Sequence, residues 1–205
     1  MKTVVLATRN PGKVREFQTL LGPLGYEVIT AAQAGYHEEP EETGTTFKAN
    51  AEIKARAVYD GTAGKYAVLS DDSGLSVDAL GGAPGVYSAR YAGPSCTDQD
   101  NNLKLLSEMV GKDDRSARYQ IALCLLEPRN VAELAQAPVV SFFEADCEGS
   151  IGFEQRGSGG FGYDTLFLPS HHYRTFAEMS AEEKHPLSHR GKAVTALTVF
   201  LSRAS

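Results

Sequence analysis

Apolar and polar positions alternate in blocks along this chain, and the period within each block marks out an element. Lys2 to Ala7 is a short, nearly unbroken apolar run of the kind a buried strand shows, and the turn residues Thr8-Arg9-Asn10-Pro11-Gly12-Lys13 interrupt it. Val14, Phe17, Leu20 and Leu21 then recur at helical spacing, so the opening reads as strand, loop and helix. Gly22-Pro23-Leu24-Gly25 ends that helix, and Tyr26 to Thr30 returns as a short strand. Thr43-Gly44-Thr45-Thr46 is capping vocabulary for a helix from about Phe47 to Tyr59, whose Phe47, Ala51, Ala55 and Val58 make an apolar stripe with Asn50 and Lys54 beside its edge.

The apolar run Tyr66-Ala67-Val68-Leu69 ends in Ser70-Asp71-Asp72-Ser73-Gly74, which reads as a tight turn carrying two acids at the rim of a sheet. Leu75 to Leu80 alternates like a further strand, and the elbow Gly81-Gly82-Ala83-Pro84-Gly85 leads into Val86 to Tyr91. Thr97-Asp98-Gln99-Asp100 caps a helix carrying Leu103, Leu106 and Val110, closed by Gly111. Arg118 to Glu127 and Val139 to Glu148 read as a hairpin or as neighbouring strands, separated by a Pro- and Ala-containing connection. Gly157 to Asp164 is a flexible glycine-rich loop before Leu166-Phe167-Leu168. Thr175 to Glu183 reads as helical, Pro186 breaks it, and Ser188 caps a last helix with Val194, Leu197 and Leu201 on one face.

Composition narrows the class. The 205 residues, 42% of them hydrophobic, fit one domain over 1–205, either undivided or as two lobes sharing a core. Twenty basic against 26 acidic residues leave a formal charge of -6, which opposes binding to a nucleic acid polymer. No apolar run approaches the ~18 residues of a membrane span, and the start carries no cleavable leader pattern, so a cytosolic protein without membrane attachment is expected. Cys96, Cys124 and Cys147 are odd in number and far apart, without metal-ligand spacing.

The polar motifs supply the chemistry. A loop entering a helix offers backbone N–H groups to an anionic phosphate, with Thr8, Asn10 and Lys13 alongside. Glu41 and Glu42 stand at the entrance of a helix, where Glu42 can join an acid of the Asp71-Asp72 pair in holding a hard divalent cation. Phe161 and Tyr163, set among glycines and followed by Asp164, can stack on a flat ring. His189 and Arg190 occupy the first turn of the last helix, where cations oppose the macrodipole, and Lys184 lies just upstream; such a placement points to a ligand. Each motif alone also has an ordinary reading, as an Asx turn, a βα turn with a surface lysine, or a packing hairpin.

Taken together and in order, Thr8-Arg9-Asn10-Pro11-Gly12-Lys13, Glu41-Glu42-Thr43-Gly44, Asp71-Asp72-Ser73-Gly74-Leu75, Gly81 to Gly85, Ser88-Ala89-Arg90-Tyr91, Phe161-Gly162-Tyr163-Asp164 and Ser188-His189-Arg190-Gly191 resemble the inosine triphosphate pyrophosphatase (Ham1-like) family nearly end to end. The resemblance implies an elongated α/β protein with a mixed twisted sheet flanked by helices, two lobes around a central nucleotide-binding cleft, and a homodimer. It implies hydrolysis of ITP, dITP and XTP to the monophosphate and pyrophosphate, which cleanses the nucleotide pool. It further implies that Thr8, Arg9, Asn10, Pro11, Gly12 and Lys13 bind the triphosphate, that Glu42 and Asp72 ligate Mg2+, and that Asp72 is the base for the attacking water. Ser73 would support the phosphate, and Phe161, Gly162, Tyr163, Asp164, Lys184, His189 and Arg190 would recognise the base. The family pattern has prolines where Gln155 and Thr165 stand here, a difference that bears on loop rigidity. The rival readings are a Maf-like enzyme for pyrimidine or modified nucleotides and a nucleotide sensor, the latter having no need of Lys13, Glu42, Asp71 and Asp72 together.

Overall fold

In the computed structural model, which describes residues 2–128 and 137–203, the first apolar run is β1 (Lys2–Leu6). Its three C-terminal residues are buried, and it pairs in parallel with β2 (Tyr26–Thr30) on one side and β3 (Ala67–Val77) on the other. The described strands form a six-stranded mixed sheet of order β2-β1-β3-β4-β5-β6, with β4 at Ser116–Glu127, β5 at Val139–Ile151 and β6 at Phe167–Pro169 antiparallel to β5. Helices α1 (Pro11–Leu21), α2 (Phe47–Gly61), α3 (Asp98–Glu108), α4 (Ala181–Lys184) and α5 (His189–Arg203) connect or follow these strands. Most of the connection between β4 and β5 lies outside the described residues.

The chain divides into two compact units. One comprises Met1–Asp72, Ala122–Glu144 and Ala196–Ser205, and the other Ser73–Ile121 and Ala145–Thr195. In the first, Val5, Ala7 and Val68 of the sheet side meet Ala51, Ala55 and Val58 of α2, together with Ala122, Cys124 and Leu126 of β4. In the second, Leu75, Val77, Leu105, Met109, Tyr119, Phe167 and Phe176 form a core enriched in rings, with Tyr119 and Phe167 edge to face at 4.7 Å between centroids. Buried side chains of this size each contribute about 1.5–3 kcal/mol by leaving water.

Three expectations are corrected. The acids are not on a turn: β3 is one strand of eleven residues, with Asp71 and Asp72 in its middle, and the stretch expected as a second strand is its end followed by a 3-10 turn at Asp78–Leu80. Successive side chains of a strand face opposite ways, so a polar pair flanked by apolar runs fits a strand whose two faces each offer a partner. Helix α1 begins at Pro11, because Asn10 caps it and proline suits the first helical position. Thr175 to Glu183 is not one helix. Two successive Ser/Thr-x-x-Glu boxes, Thr175 with Glu178 and Ser180 with Glu183, each start a short turn, and extended Met179 separates them.

Candidate active site

Strand β3 carries the first cluster. Beyond Leu69 it runs past the end of its pairing with β1, whose last partner is Leu6, so Ser70, Asp71 and Asp72 follow the point where the neighbouring strand has turned away into the α1 cap. Val68, Ser70 and Asp72 share the face toward α2: Val68 joins its core, Ser70 Oγ donates to the Ala51 carbonyl at 2.5 Å, and Asp72 meets Asn50 and Lys54. Asp71, on the other face, pairs with Lys13 of α1 at 2.7 Å. Both acids are buried, and each is matched to its own lysine.

Lys54 Nζ is shared. It donates to Glu42 Oε1 at 2.8 Å and to Asp72 Oδ1 at 3.1 Å, so the two carboxylates converge on one cation. Burial pushes the Asp72 carboxyl above its ordinary value, and Glu42 acts in the same direction, against the pull of Lys54 and Lys13. Burial works to lower Lys54, but Asp72, Asp71 and Glu42 outweigh it and hold the ammonium above its usual value.

The Thr8 to Lys13 segment is more closed than its sequence suggests. The N–H groups of Gly12 and Lys13 both donate to Asn10 Oδ1, at 2.8 and 3.3 Å, and Thr8 Oγ accepts from the Asn10 N–H. Arg9 reaches the acidic run, pairing with Glu39 at 2.9 Å and donating to the His37 carbonyl. Pro11 is exposed at the first helical position. Unit one therefore gathers Lys13, Glu42, Asp72 and the capped loop, with Asn50 and Lys54 as further members that the helical stripe placed only at its edge.

The second unit carries the other cluster. Arg190, 2% exposed, lies in the first turn of α5; its guanidinium lies 5.4 Å from the Phe161 ring centroid and donates from Nη2 to Ser73 Oγ at 3.3 Å. His189 stacks on Tyr119 with centroids 4.7 Å apart and planes at 10°. Lys184 Nζ donates to the buried Asp164 carboxylate at 2.6 Å, 5.4 Å from the Phe161 centroid. Phe161 is thus the half-buried ring over which two cations stand.

The glycine-rich loop is pinned rather than loose. Asp164 Oδ2 accepts the Phe161 N–H, and a side chain at Gly160, whose φ is +74°, would collide with that carboxylate. The Gly162 peptide is held on both sides by α3: its N–H donates to Asp98 Oδ2 at 2.6 Å and its carbonyl accepts from Asn102 Nδ2 at 2.9 Å. Tyr163 is buried, with its hydroxyl donating to the Ser88 carbonyl and its N–H donating to the Tyr119 hydroxyl, so its ring fastens the loop. Asp98, Asn102 and Tyr119 were absent from the expected site. Asp98 and Asn102 are four apart, on one helix face, and that spacing was the available signal.

Among the described residues no group of three or more His, Cys, Asp or Glu side chains is placed to hold a metal ion, and no helix is long and apolar enough to cross a membrane. The three cysteines are free thiols; burial pushes Cys124 up to about 12 and Cys147 up to about 11.

Comparison with known proteins gives a consistent result. The Ham1 family model matches residues 4–200. A dITP/XTP pyrophosphatase of Bacillus licheniformis is 48% identical over 206 residues, covering 100% of both chains, and that of Bacillus subtilis is 46% identical over 203 residues, covering 98% of each. Among solved structures, the Staphylococcus aureus Ham1 protein superposes with a TM-score of 0.86 at 34% identity, covering 100% of both chains. A nucleoside-triphosphatase / dITP/XTP pyrophosphatase of Mycobacterium abscessus gives 0.72 at 38% identity, covering 95% of this chain and 97% of the other.

Proposed function

The chain belongs to the Ham1 family, and from that premise we propose that it hydrolyses deaminated purine nucleoside triphosphates, dITP, ITP and XTP, to the monophosphate and pyrophosphate. The observation that carries the reading is the pair of buried acids on β3, each matched to a lysine, with Asp72 and Glu42 turned to one ammonium. A triphosphate repels a hydroxide-like nucleophile, so a site for it needs cations for the phosphates and a carboxylate for the water. Lys13 and Lys54 supply the first and Asp72 the second.

Mg2+ fits this donor set. Glu42 and Asp72, whose Oε1 and Oδ1 already aim at one cation, would hold it, in keeping with the one or two carboxylates that commonly bind this ion. When bound, the ion neutralises developing charge on the phosphates and the leaving pyrophosphate. Asp72 takes the proton of the attacking water while the water oxygen bonds to the α-phosphorus and the bond to the bridging oxygen breaks.

Base choice belongs to the second cluster. Phe161 offers a ring face, and Arg190 and Lys184 offer donors beside it to the 6-keto oxygen of hypoxanthine or xanthine, where adenine presents an amine. The Thr8 to Lys13 segment takes the triphosphate, and Ser73 assists a phosphate oxygen. The enzyme acts in the cytoplasm as a homodimer, on free nucleotides. The test is turnover of ITP, XTP, GTP and ATP with Mg2+ and quantification of both products. Rapid release of pyrophosphate from ITP and XTP but slow release from GTP and ATP supports the reading; a preference for pyrimidine triphosphates replaces it with the Maf-like alternative.

A further inference from the structure

Asn50 is a fully buried side chain, 0% exposed, on the α2 face that meets β3, a place where a carboxamide is costly unless its groups are satisfied. Both ends are used. Nδ2 donates to Asp72 Oδ2 at 3.2 Å, and Oδ1 accepts the Gly44 N–H at 2.8 Å. The orientation is fixed by chemistry, because a backbone N–H needs an acceptor and a carboxylate needs a donor. Gly44 follows Glu42 by two residues, so one amide touches the Asp72 carboxylate itself and the backbone just beyond Glu42.

The surrounding geometry leaves little play. A Cβ at Gly44 would stand 2.6 Å from Asn50 Oδ1 and 2.8 Å from the Ala49 Cβ, so the segment carrying Glu42 lies close against the start of α2. The Ser70 hydroxyl fastens β3 to the next residue of the same helix, through the Ala51 carbonyl. With Oδ2 of Asp72 taken by Asn50, Oδ1 is the oxygen turned to Lys54, which Glu42 also meets.

We propose that Asn50 is a positioning residue, which sets the relative orientation of Glu42 and Asp72 so that both address a single cation; this rests on the functional reading above for those two carboxylates. An aspartate at this place would keep the acceptor for Gly44 but set a third carboxylate against Asp72, and a leucine would keep the volume and satisfy neither partner.

The test compares the unmutated protein with Asn50→Leu and Asn50→Asp, measuring Mn2+ binding without nucleotide by calorimetry and XTP turnover with Mg2+. Asn50→Leu should bind Mn2+ roughly 10–100-fold more weakly, the range for loss of a group that orients a ligand, whereas the added carboxylate of Asn50→Asp offsets part of that loss through its own attraction for the cation. In each, kcat should fall by at least about tenfold while KM for XTP changes less than about threefold. An Mn2+ constant within about twofold of the unmutated protein, in Asn50→Leu with native circular dichroism, overturns the proposal whatever the turnover. Absence of XTP turnover in the unmutated protein counts against the functional reading alone, since the Mn2+ comparison stands without it. The unmutated protein gives a second reading by nuclear magnetic resonance: the Asn50 carboxamide signals should be protected from exchange and shift as Mg2+ is added. Rapidly exchanging signals that stay fixed through the titration overturn the proposal even if neither variant folds.

Discussion

Replacing Lys54 by Met removes the ammonium that Glu42 and Asp72 share at 2.8 and 3.1 Å while keeping most of the aliphatic stem. The side chains of Lys54, Glu42 and Asp72 are 14%, 25% and 10% exposed, so this is a largely enclosed cluster rather than a surface pair. Breaking a buried pair by deleting one partner costs about 3–5 kcal/mol, and partial access of water to Glu42 puts the expected loss near the lower end, about 3 kcal/mol at neutral pH. The sign of the pH dependence follows from Asp72. Burial already holds its carboxyl above the ordinary value, and loss of the cation raises it further. Between the ordinary carboxylate value and the raised one, the native state binds more protons than the unfolded state, so stability rises as pH falls through that window. The deficit of Lys54→Met should therefore shrink as pH falls from neutral toward the ordinary carboxylate range. Excess Mg2+ should also restore about 2.7 kcal/mol at a hundredfold excess over its dissociation constant, a larger gain than in the unmutated protein, where Lys54 competes for the same carboxylates. Urea denaturation at both pH values, with chelator or with Mg2+, gives all the terms. A loss below about 1 kcal/mol that is indifferent to pH and to Mg2+ would refute the shared-cation account.

Three further outcomes are expected. Asp72→Asn keeps the shape and Asn50 as a neighbour but should lower turnover of XTP at least ~100-fold with a native circular dichroism spectrum; near-normal turnover removes Asp72 from the mechanism. Arg190→Ala should lower kcat/KM for ITP and XTP by roughly 1.5–3 kcal/mol and affect ATP much less, whereas equal losses would move base selection to the Phe161 loop. In a double-mutant cycle on the buried Lys184–Asp164 pair, Lys184→Met and Asp164→Leu should each destabilise, and the double variant should lose less than their sum by at least about 1 kcal/mol; additivity would show that the ion pair does not hold the loop.

Much of this was legible in sequence where one local rule decided the outcome. Tyr26 to Thr30 and the Thr46 cap of α2 came from turn residues and apolar period, and both ends of β2 fall where they were read. Ser188 at the start of α5 was equally plain, its hydroxyl accepting the Gly191 N–H. The Asp-Asp-Ser-Gly stretch misled because turn vocabulary and a polar strand share a composition; what keeps it extended is a lysine on each face, supplied by residues 58 and 18 positions away, which is tertiary information. Tyr163 was ambiguous for a related reason. Its ring is apolar enough to stack on a ligand or to pack, and the Ser88 carbonyl and the Tyr119 hydroxyl that hold it are distant in sequence. Asp98 reads only as part of a helix cap, and Asn102 carries no signal of its own, until the Gly162 peptide lies between them.

The central claim is attack of water at the α-phosphorus of a deaminated purine triphosphate. Hydrolysis of XTP or dITP in water enriched in heavy oxygen, followed by mass spectrometry of both products, tests it most directly. The account requires one monophosphate and one pyrophosphate per turnover, with the label in the monophosphate. Label in the pyrophosphate would place attack at the β-phosphorus, and stepwise release of orthophosphate through a diphosphate would contradict the account altogether.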